Sequence, residues 1–233
     1  MKSFMIPCLG YDVAADLYEG SDPDQILLNL IGWTSAKLRH QETLEAINAQ
    51  TGMSVLTFDY SGHGDSTVDP FELRPAQHLL EAITVFDWIA NTYPEKSISI
   101  MGSSYGGFMA AQIAAYRNFQ SLILCAPAIY TPHDLYTLNS AIDREEIGGR
   151  YRRDSEVLAA HPLFVNPRIF DGSALVVAHE LDTVVPTQTT NAYAAGLDAK
   201  LVTVKSIPHS VREASHEDRA KYQKVIADWL LEN

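Results

Sequence analysis

Positive charge is scarce in this sequence. Its 17 lysines and arginines stand against 29 aspartates and glutamates, a formal net charge of −12. A chain so acidic is poorly suited to a phosphate backbone, because binding there is driven by cationic side chains that displace counterions. No nucleic acid is therefore expected as a partner. Cysteine is nearly absent: Cys8 and Cys125 both fall in apolar stretches that read as strands. Two buried thiols are expected rather than a disulfide framework, and with them a reducing, cytoplasmic setting. No apolar run approaches the roughly 18 residues that a membrane-crossing helix needs. The opening segment "MKSFMIPCLGYD" has one lysine and an apolar run broken by Pro7, which is not the core of a signal peptide. No membrane association is expected either. Repeats, low-complexity tracts and long linkers are also missing. What is present is 233 residues with 46% apolar content, enough for one sizeable core, so residues 1–233 are read as a single domain.

Short apolar runs alternate with longer segments of helical period. The candidate strands are "SFMIP", "DVAADLY", "QILLNLI", "SVLTFD", "SISIMG", "SLILCA", "ALVVA" and "LVTVKSI". The later ones are nearly continuous in apolar residues, as strands covered on both faces must be, which implies a parallel sheet. Only "CLGY" separates the first two, too short for a crossover helix, so they are expected to pair antiparallel at one edge. Helices are predicted over Leu38 to Thr51, Pro75 to Thr92, Tyr105 to Arg117, Thr187 to Gly196 and Asp218 to Leu231. In the last, Tyr222, Val225, Ile226, Trp229 and Leu230 form a single stripe at i, i+3, i+4, i+7 and i+8. About forty residues from Tyr130 to Gly172 break the rhythm with charged, aromatic and proline-bearing sequence. In a compact domain such an excursion suggests an inserted lid.

Between the strand "SISIMG" and the amphipathic "YGGFMAAQIAAYR" lies G-x-S-x-G, spelled Gly102, Ser103, Ser104, Tyr105, Gly106. A sharp strand-to-helix turn strains its central residue and lifts that side chain above the sheet, which is tolerable only with small neighbours. Ser104 is thereby presented as a nucleophile. It sits at a helix start, where free backbone N–H groups, including that of Tyr105, can stabilise an oxyanion. A serine alcohol also needs a histidine to take its proton and an acid to hold that histidine in one tautomer. Both should lie at the carboxyl ends of later strands. Asp182 follows "ALVVA" in "HELDTVVP", and His209 follows "LVTVKSI"; the order Ser, Asp, His is the one this topology requires.

With these segments in place the chain resembles the α/β-hydrolase superfamily over nearly its full length. "GWTSAK" is similar to the family's oxyanion loop, "FDYSGHGDS" to its turn after the fourth strand, "GSSYGG" to its nucleophile elbow and "LDTVVP" to its acid loop. Ile31 stands where many members carry a histidine before the oxyanion-loop glycine, and His179 and Glu180 stand where small residues are common ahead of the acid. The resemblance implies an α/β-hydrolase fold, with a mostly parallel eight-stranded sheet, helices on both faces and a small helical lid at about 131–172. It implies Ser104, Asp182 and His209 as a triad, with Trp33 and Tyr105 giving backbone N–H groups to the oxyanion. The expected activity is that of a serine hydrolase, a carboxylesterase acting on a small-molecule ester. A peptidase or thioesterase, or a ligand-binding protein without catalysis, stands as the alternative.

Several residues carry competing readings. Glu180 competes with Asp182 as the acid, and Asp182 could serve only as a turn residue. His216 competes with His209, but it follows Ser215 in "SHEDRAKY", where the serine reads as a helix cap. His63, between glycines, reads as a turn residue rather than a ligand; His133, His161 and His179 show no metal-ligand spacing and read as structural or surface residues, and neither metal nor cofactor is expected. Arg144, Arg150, Arg152 and Arg153 read as a solvated face paired with Asp143, Glu145, Glu146 and Asp154, with recognition of an acidic substrate as the lesser alternative. Tyr130, Tyr136, Phe164 and Tyr193 are candidates for either pocket or core.

Overall fold

Leu9 at φ 52° and Gly10 at φ 90° close the first hairpin. Two consecutive left-handed residues match the twist of the strands they join. The structure, a computed structural model, describes residues 1–64, 68–166 and 168–233. Strands β1 (Lys2–Cys8) and β2 (Tyr11–Tyr18) flank this turn and pair antiparallel, and β2 also pairs antiparallel with β4 (Ser54–Phe58). From there on every pairing is parallel, through β3 (Gln25–Leu30), β5 (Ser97–Ser103), β6 (Ser121–Cys125), β7 (Ser173–Leu181) and β8 (Lys200–Pro208). The order across the sheet is β1-β2-β4-β3-β5-β6-β7-β8. This is the α/β-hydrolase arrangement that the motifs implied.

Parallel strands need crossovers, and the helices supply them. Helix α1 (Gln41–Thr51) and the last helix, α8 (His216–Glu232), cover one face; Leu44, Ile47, Tyr222, Ile226, Trp229 and Leu230 join Leu27, Met101 and Ile123 there. Helices α2 (Pro75–Thr92), α3 (Tyr105–Ile113) and α7 (Thr187–Leu197) cover the other, where Val85, Phe108 and Tyr193 meet Leu28, Ile100 and Leu124. Alternate residues of each strand thus feed opposite cores, as the pleat requires. Both thiols are buried, Cys8 and Cys125 alike.

Three helix boundaries differ from the sequence reading by two residues or more. The helix expected from Leu38 begins as a 3-10 turn at Lys37–His40. Helix α3 stops at Ile113 rather than Arg117, because Ala115 and Tyr116 bond three residues back instead of four. Helix α8 starts at His216, capped by Ser215, whose hydroxyl accepts from the Asp218 N–H.

Between β6 and β7 the chain makes α4 (Arg144–Gly149), α5 (Ser155–Ala159) and α6 (Pro162–Val165), with 3-10 turns at Asp134–Tyr136 and Tyr151–Arg153. Ile142, Ile147, Leu158 and Leu163 from this segment pack into the core beside α3 and α7. Pro167, inside the expected excursion, and Asp65 and Ser66, at the end of "FDYSGHGDS", lie outside the described residues. Among the described residues no helix is long and apolar enough to cross a membrane.

Candidate active site

The carboxyl ends of the parallel strands converge on one serine. At the end of β5 the backbone of Ser104 turns to φ 53°, ψ −115° before α3 begins. An L-residue resists this conformation, at a cost of about 1–3 kcal/mol. The surroundings hold it there: the Ser104 N–H donates to the Cys125 carbonyl at 2.9 Å, and its own carbonyl accepts from Ala128 at 2.9 Å and Phe108 at 3.2 Å. Close packing makes the flanking glycines necessary. A Cβ at Gly102 would collide with the Gly106 backbone, and one at Gly106 with the backbone of Leu30 and Ile31.

Two further strand ends complete the arrangement. His209, just past β8, places Nε2 3.0 Å from the Ser104 hydroxyl and Nδ1 2.8 Å from Asp182 Oδ2. Asp182, just past β7, uses its other oxygen to accept from the Val184 and Val185 N–H groups, each at 2.8 Å. A carboxylate so engaged accepts from Nδ1–H, which leaves Nε2 to accept the serine proton. Burial pushes the Asp182 carboxyl up, but the His209 hydrogen bond and the two backbone N–H groups outweigh it and hold the group below the usual carboxylate range. The competitors lie elsewhere. Glu180 accepts from the Ser206 N–H at 2.9 Å, and His216 is an exposed first-turn residue of α8. Ser103 borders the same cavity, with its hydroxyl against the Tyr222 phenol and the Cys125 thiol rather than against His209.

Ser104 opens into a cavity of about 560 Å³. Gly32 faces it closely: a Cβ there would touch the Ser103 carbonyl at 3.6 Å and the Ser104 Cβ at 3.8 Å. The next residue, Trp33, lines the cavity, and neither its N–H nor that of Tyr105 donates to a protein acceptor among the described residues. The Tyr105 ring points away and hydrogen-bonds His78 Nδ1 at 2.8 Å, while His78 Nε2 meets the Ser61 carbonyl at 3.0 Å. Since that carbonyl only accepts, Nε2 carries the proton and Nδ1 accepts from the tyrosine.

The arginine cluster departs from the sequence reading. Arg150 does pair with Glu146, at 2.6 Å, but Arg144 and Arg152 turn inward, line the cavity and form no ion pair among the described residues. Tertiary contacts decide this. Arg144 lies over the rings of Trp33 and Phe71, and Arg152 over Tyr130. Of the four aromatic candidates only Tyr130 lines the cavity; Tyr136 is exposed, and Tyr193 is buried under Phe164 with its hydroxyl on the Ala128 carbonyl.

Among the cavity residues that the sequence reading missed is His179, to which it gave a structural or surface role. It lines the cavity, donates from Nδ1 to the Pro208 carbonyl at 2.9 Å, and is pushed down to about 4 by burial. Among the described residues its Nε2 has no partner. Its place near the carboxyl end of β7, three residues before Asp182, was the available signal.

Comparison with known proteins bears on the family and the fold. A family model described as serine aminopeptidase, S33, matches residues 21–158, more than half of the chain. The sn-1-specific diacylglycerol lipase ABHD11 of Xenopus tropicalis is 32% identical over 103 residues, which are 44% of this chain and 31% of that protein. The chain thus spans about a third of the length of that curated relative. Among solved structures, Est1E from Butyrivibrio proteoclasticus, with ferulic acid bound, superposes with a TM-score of 0.71 at 17% identity over 98% of each chain. An esterase from the archaeon Pyrobaculum calidifontis gives 0.72 at 18% identity, over 99% of this chain and 85% of its own. At such identity these two likenesses speak to the fold.

Proposed function

Since the chain belongs to the serine aminopeptidase, S33, family of hydrolases, we propose that it is a serine hydrolase cleaving small or medium carboxylic esters through an acyl-enzyme on Ser104. The observation that carries this reading is the unbroken hydrogen-bonded line from Asp182 through His209 to a serine held at φ 53°. In the reaction, Ser104 Oγ attacks the ester carbonyl and passes its proton to His209 Nε2. Asp182 keeps Nδ1 protonated and balances the imidazolium that forms. The Trp33 and Tyr105 N–H groups receive the oxyanion of the tetrahedral intermediate. Its collapse breaks the carbon–oxygen bond of the alcohol, which leaves with the proton from His209. Water then gives a proton to His209 and attacks the acyl group, and the carboxylic acid departs as Ser104 is restored.

The family's name favours a second reading, an aminopeptidase. Such an enzyme has to hold the free α-ammonium of its substrate with a carboxylate, and among the described residues no aspartate or glutamate lines the cavity. Ester chemistry makes no such demand, and this supports it over the peptidase. The segment from 131 to 172 is proposed as the lid whose shape sets substrate choice. A fluorophosphonate probe tests the whole reading: the unaltered protein is expected to label and Ser104→Ala to remain folded and unlabelled. A panel of aryl esters, thioesters and aminoacyl anilides then separates the activities. Labelling that survives Ser104→Ala would show that the nucleophile is another residue, and cleavage of anilides alone would favour the peptidase.

A further inference from the structure

Four arginines, Arg39, Arg144, Arg152 and Arg212, line the cavity that holds Ser104, and among the described residues no acidic side chain does. This concentration occurs in a chain with 29 acidic and 17 basic side chains, so the cavity wall runs opposite to the rest of the molecule. Arg152 is only 7% exposed. Its Nε donates to the Ile129 carbonyl at 3.0 Å and its guanidinium carbon lies 5.1 Å from the Tyr130 ring centre. Arg144 Nη1 donates to the Asn139 carbonyl at 2.6 Å, its guanidinium lies 5.0 Å from the Trp33 ring and 5.4 Å from that of Phe71, and its Nε is buried without an acceptor. Among the described residues Arg117, Arg150 and Arg219 pair with carboxylates; these two do not.

A cation withdrawn from water without a counter-ion, almost fully for Arg152 and in part for Arg144, is costly, and ring stacking with one carbonyl bond offsets only part of that cost. Each guanidinium has five N–H donors in a planar fork, of which one is engaged among the described residues. The aromatic faces they lie over restrict where each guanidinium can sit, and such restriction is the preorganisation that recognition of an oxyanion requires. Resting on the reading of Ser104 as nucleophile, we propose that the substrate is an ester bearing an oxyanion group, a carboxylate or a phosphate, that docks on Arg144 and Arg152 while its ester carbonyl reaches Ser104. Arg39 and Arg212, both exposed, extend the positive potential outward and draw anions to the opening.

The experiment compares kcat/KM on aryl hemiesters of dicarboxylic acids, on aryl acyl esters ending in a phosphate, and on neutral aryl esters of equal length. At low ionic strength the anionic substrates are expected to exceed the neutral ones by roughly tenfold or more. Whichever anionic arm is the faster identifies the group. In Arg144→Gln the ratio of anionic to neutral rates should fall toward one, with Arg144→Lys retaining part of it. Arg152→Gln should act likewise wherever its near-ultraviolet circular dichroism shows it folded, and Arg144 keeps the test decisive where it is not. Equal rates on charged and neutral esters, or a ratio untouched by Arg144→Gln, overturn the docking while leaving the nucleophile in place, provided that Ser104 takes up fluorophosphonate. Absence of labelling would remove both.

Discussion

Ser104 can be relieved of its strain by a single substitution. Glycine adopts φ 53° and ψ −115° without a Cβ penalty, so Ser104→Gly should raise stability by about 1 kcal/mol after its greater unfolded-state entropy is counted. Ser104→Ala keeps the Cβ and should not. Urea midpoints of the two variants check this, and a more stable but inactive glycine variant would show strain held for function. The choice between histidines is also a residue question. With His209 Nε2 3.0 Å from the hydroxyl and His216 exposed at the start of α8, His209→Ala should lower kcat on an activated ester by roughly 10⁴-fold. His216→Ala should stay within about twofold. Reversal of that pattern would discard the triad as assigned.

At the scale of elements, the segment between β6 and β7 is tied down at two places. Its start is sewn to the approach of α2: Asn139 donates from its amide to the Pro70 carbonyl at 3.0 Å and from its backbone to Leu73 at 2.8 Å, and Arg74 Nε donates to the Tyr136 carbonyl at 3.0 Å. Its middle gives Leu158 and Leu163 to the core beside α7. Deleting the whole segment should therefore unfold the protein rather than merely uncover the site. Helix α4 offers a finer probe, because Ile147 is buried and lines the cavity at once. Ile147→Ala should cost about 2–4 kcal/mol and shift the preferred acyl chain to greater length. Thermal unfolding and an ester chain-length series read the two effects separately. An unchanged chain-length profile would deny α4 a part in selectivity.

For the molecule as a whole, buried neutral histidines set the response to acid. Burial, reinforced by His63 nearby, pushes His78 down to about 3, and burial brings His179 to about 4. In the unfolded chain both protonate near 6.5. Their stabilising contribution is thus complete above about pH 6.5 and is lost as pH falls toward 4, because the unfolded chain binds the protons that the fold refuses. By pH 5 the loss is about 2 kcal/mol for each histidine. Burial raises the Glu81 carboxyl, which works in the opposite sense, so the test compares variants rather than absolute values. Melting temperatures from pH 7 to 5 should fall more steeply in the unaltered protein than in His78→Gln. Parallel slopes would mean that His78 binds its proton as readily in the fold as in the unfolded chain.

Local chemistry alone determined much of this protein. Alternating apolar runs placed all eight strands to within a few residues, Pro75 and Ser215 marked helix starts through caps that depend only on their neighbours, and the glycines around Ser104 announced a turn whose sterics are local. The chain order of Ser104, Asp182 and His209 also follows once a parallel sheet is granted, since every crossover returns the chain to the same edge. Only the tertiary structure decided which way Arg144 and Arg152 face. Their neighbours Asp143 and Glu145 read as partners, yet the surfaces on which the guanidiniums rest are Trp33, Phe71 and Tyr130, and the first two lie some seventy residues or more away along the chain. His179 was hidden for the same reason. Burial and a missing hydrogen-bond partner are properties of what packs around a side chain, and that is set by the fold rather than by the residues on either side.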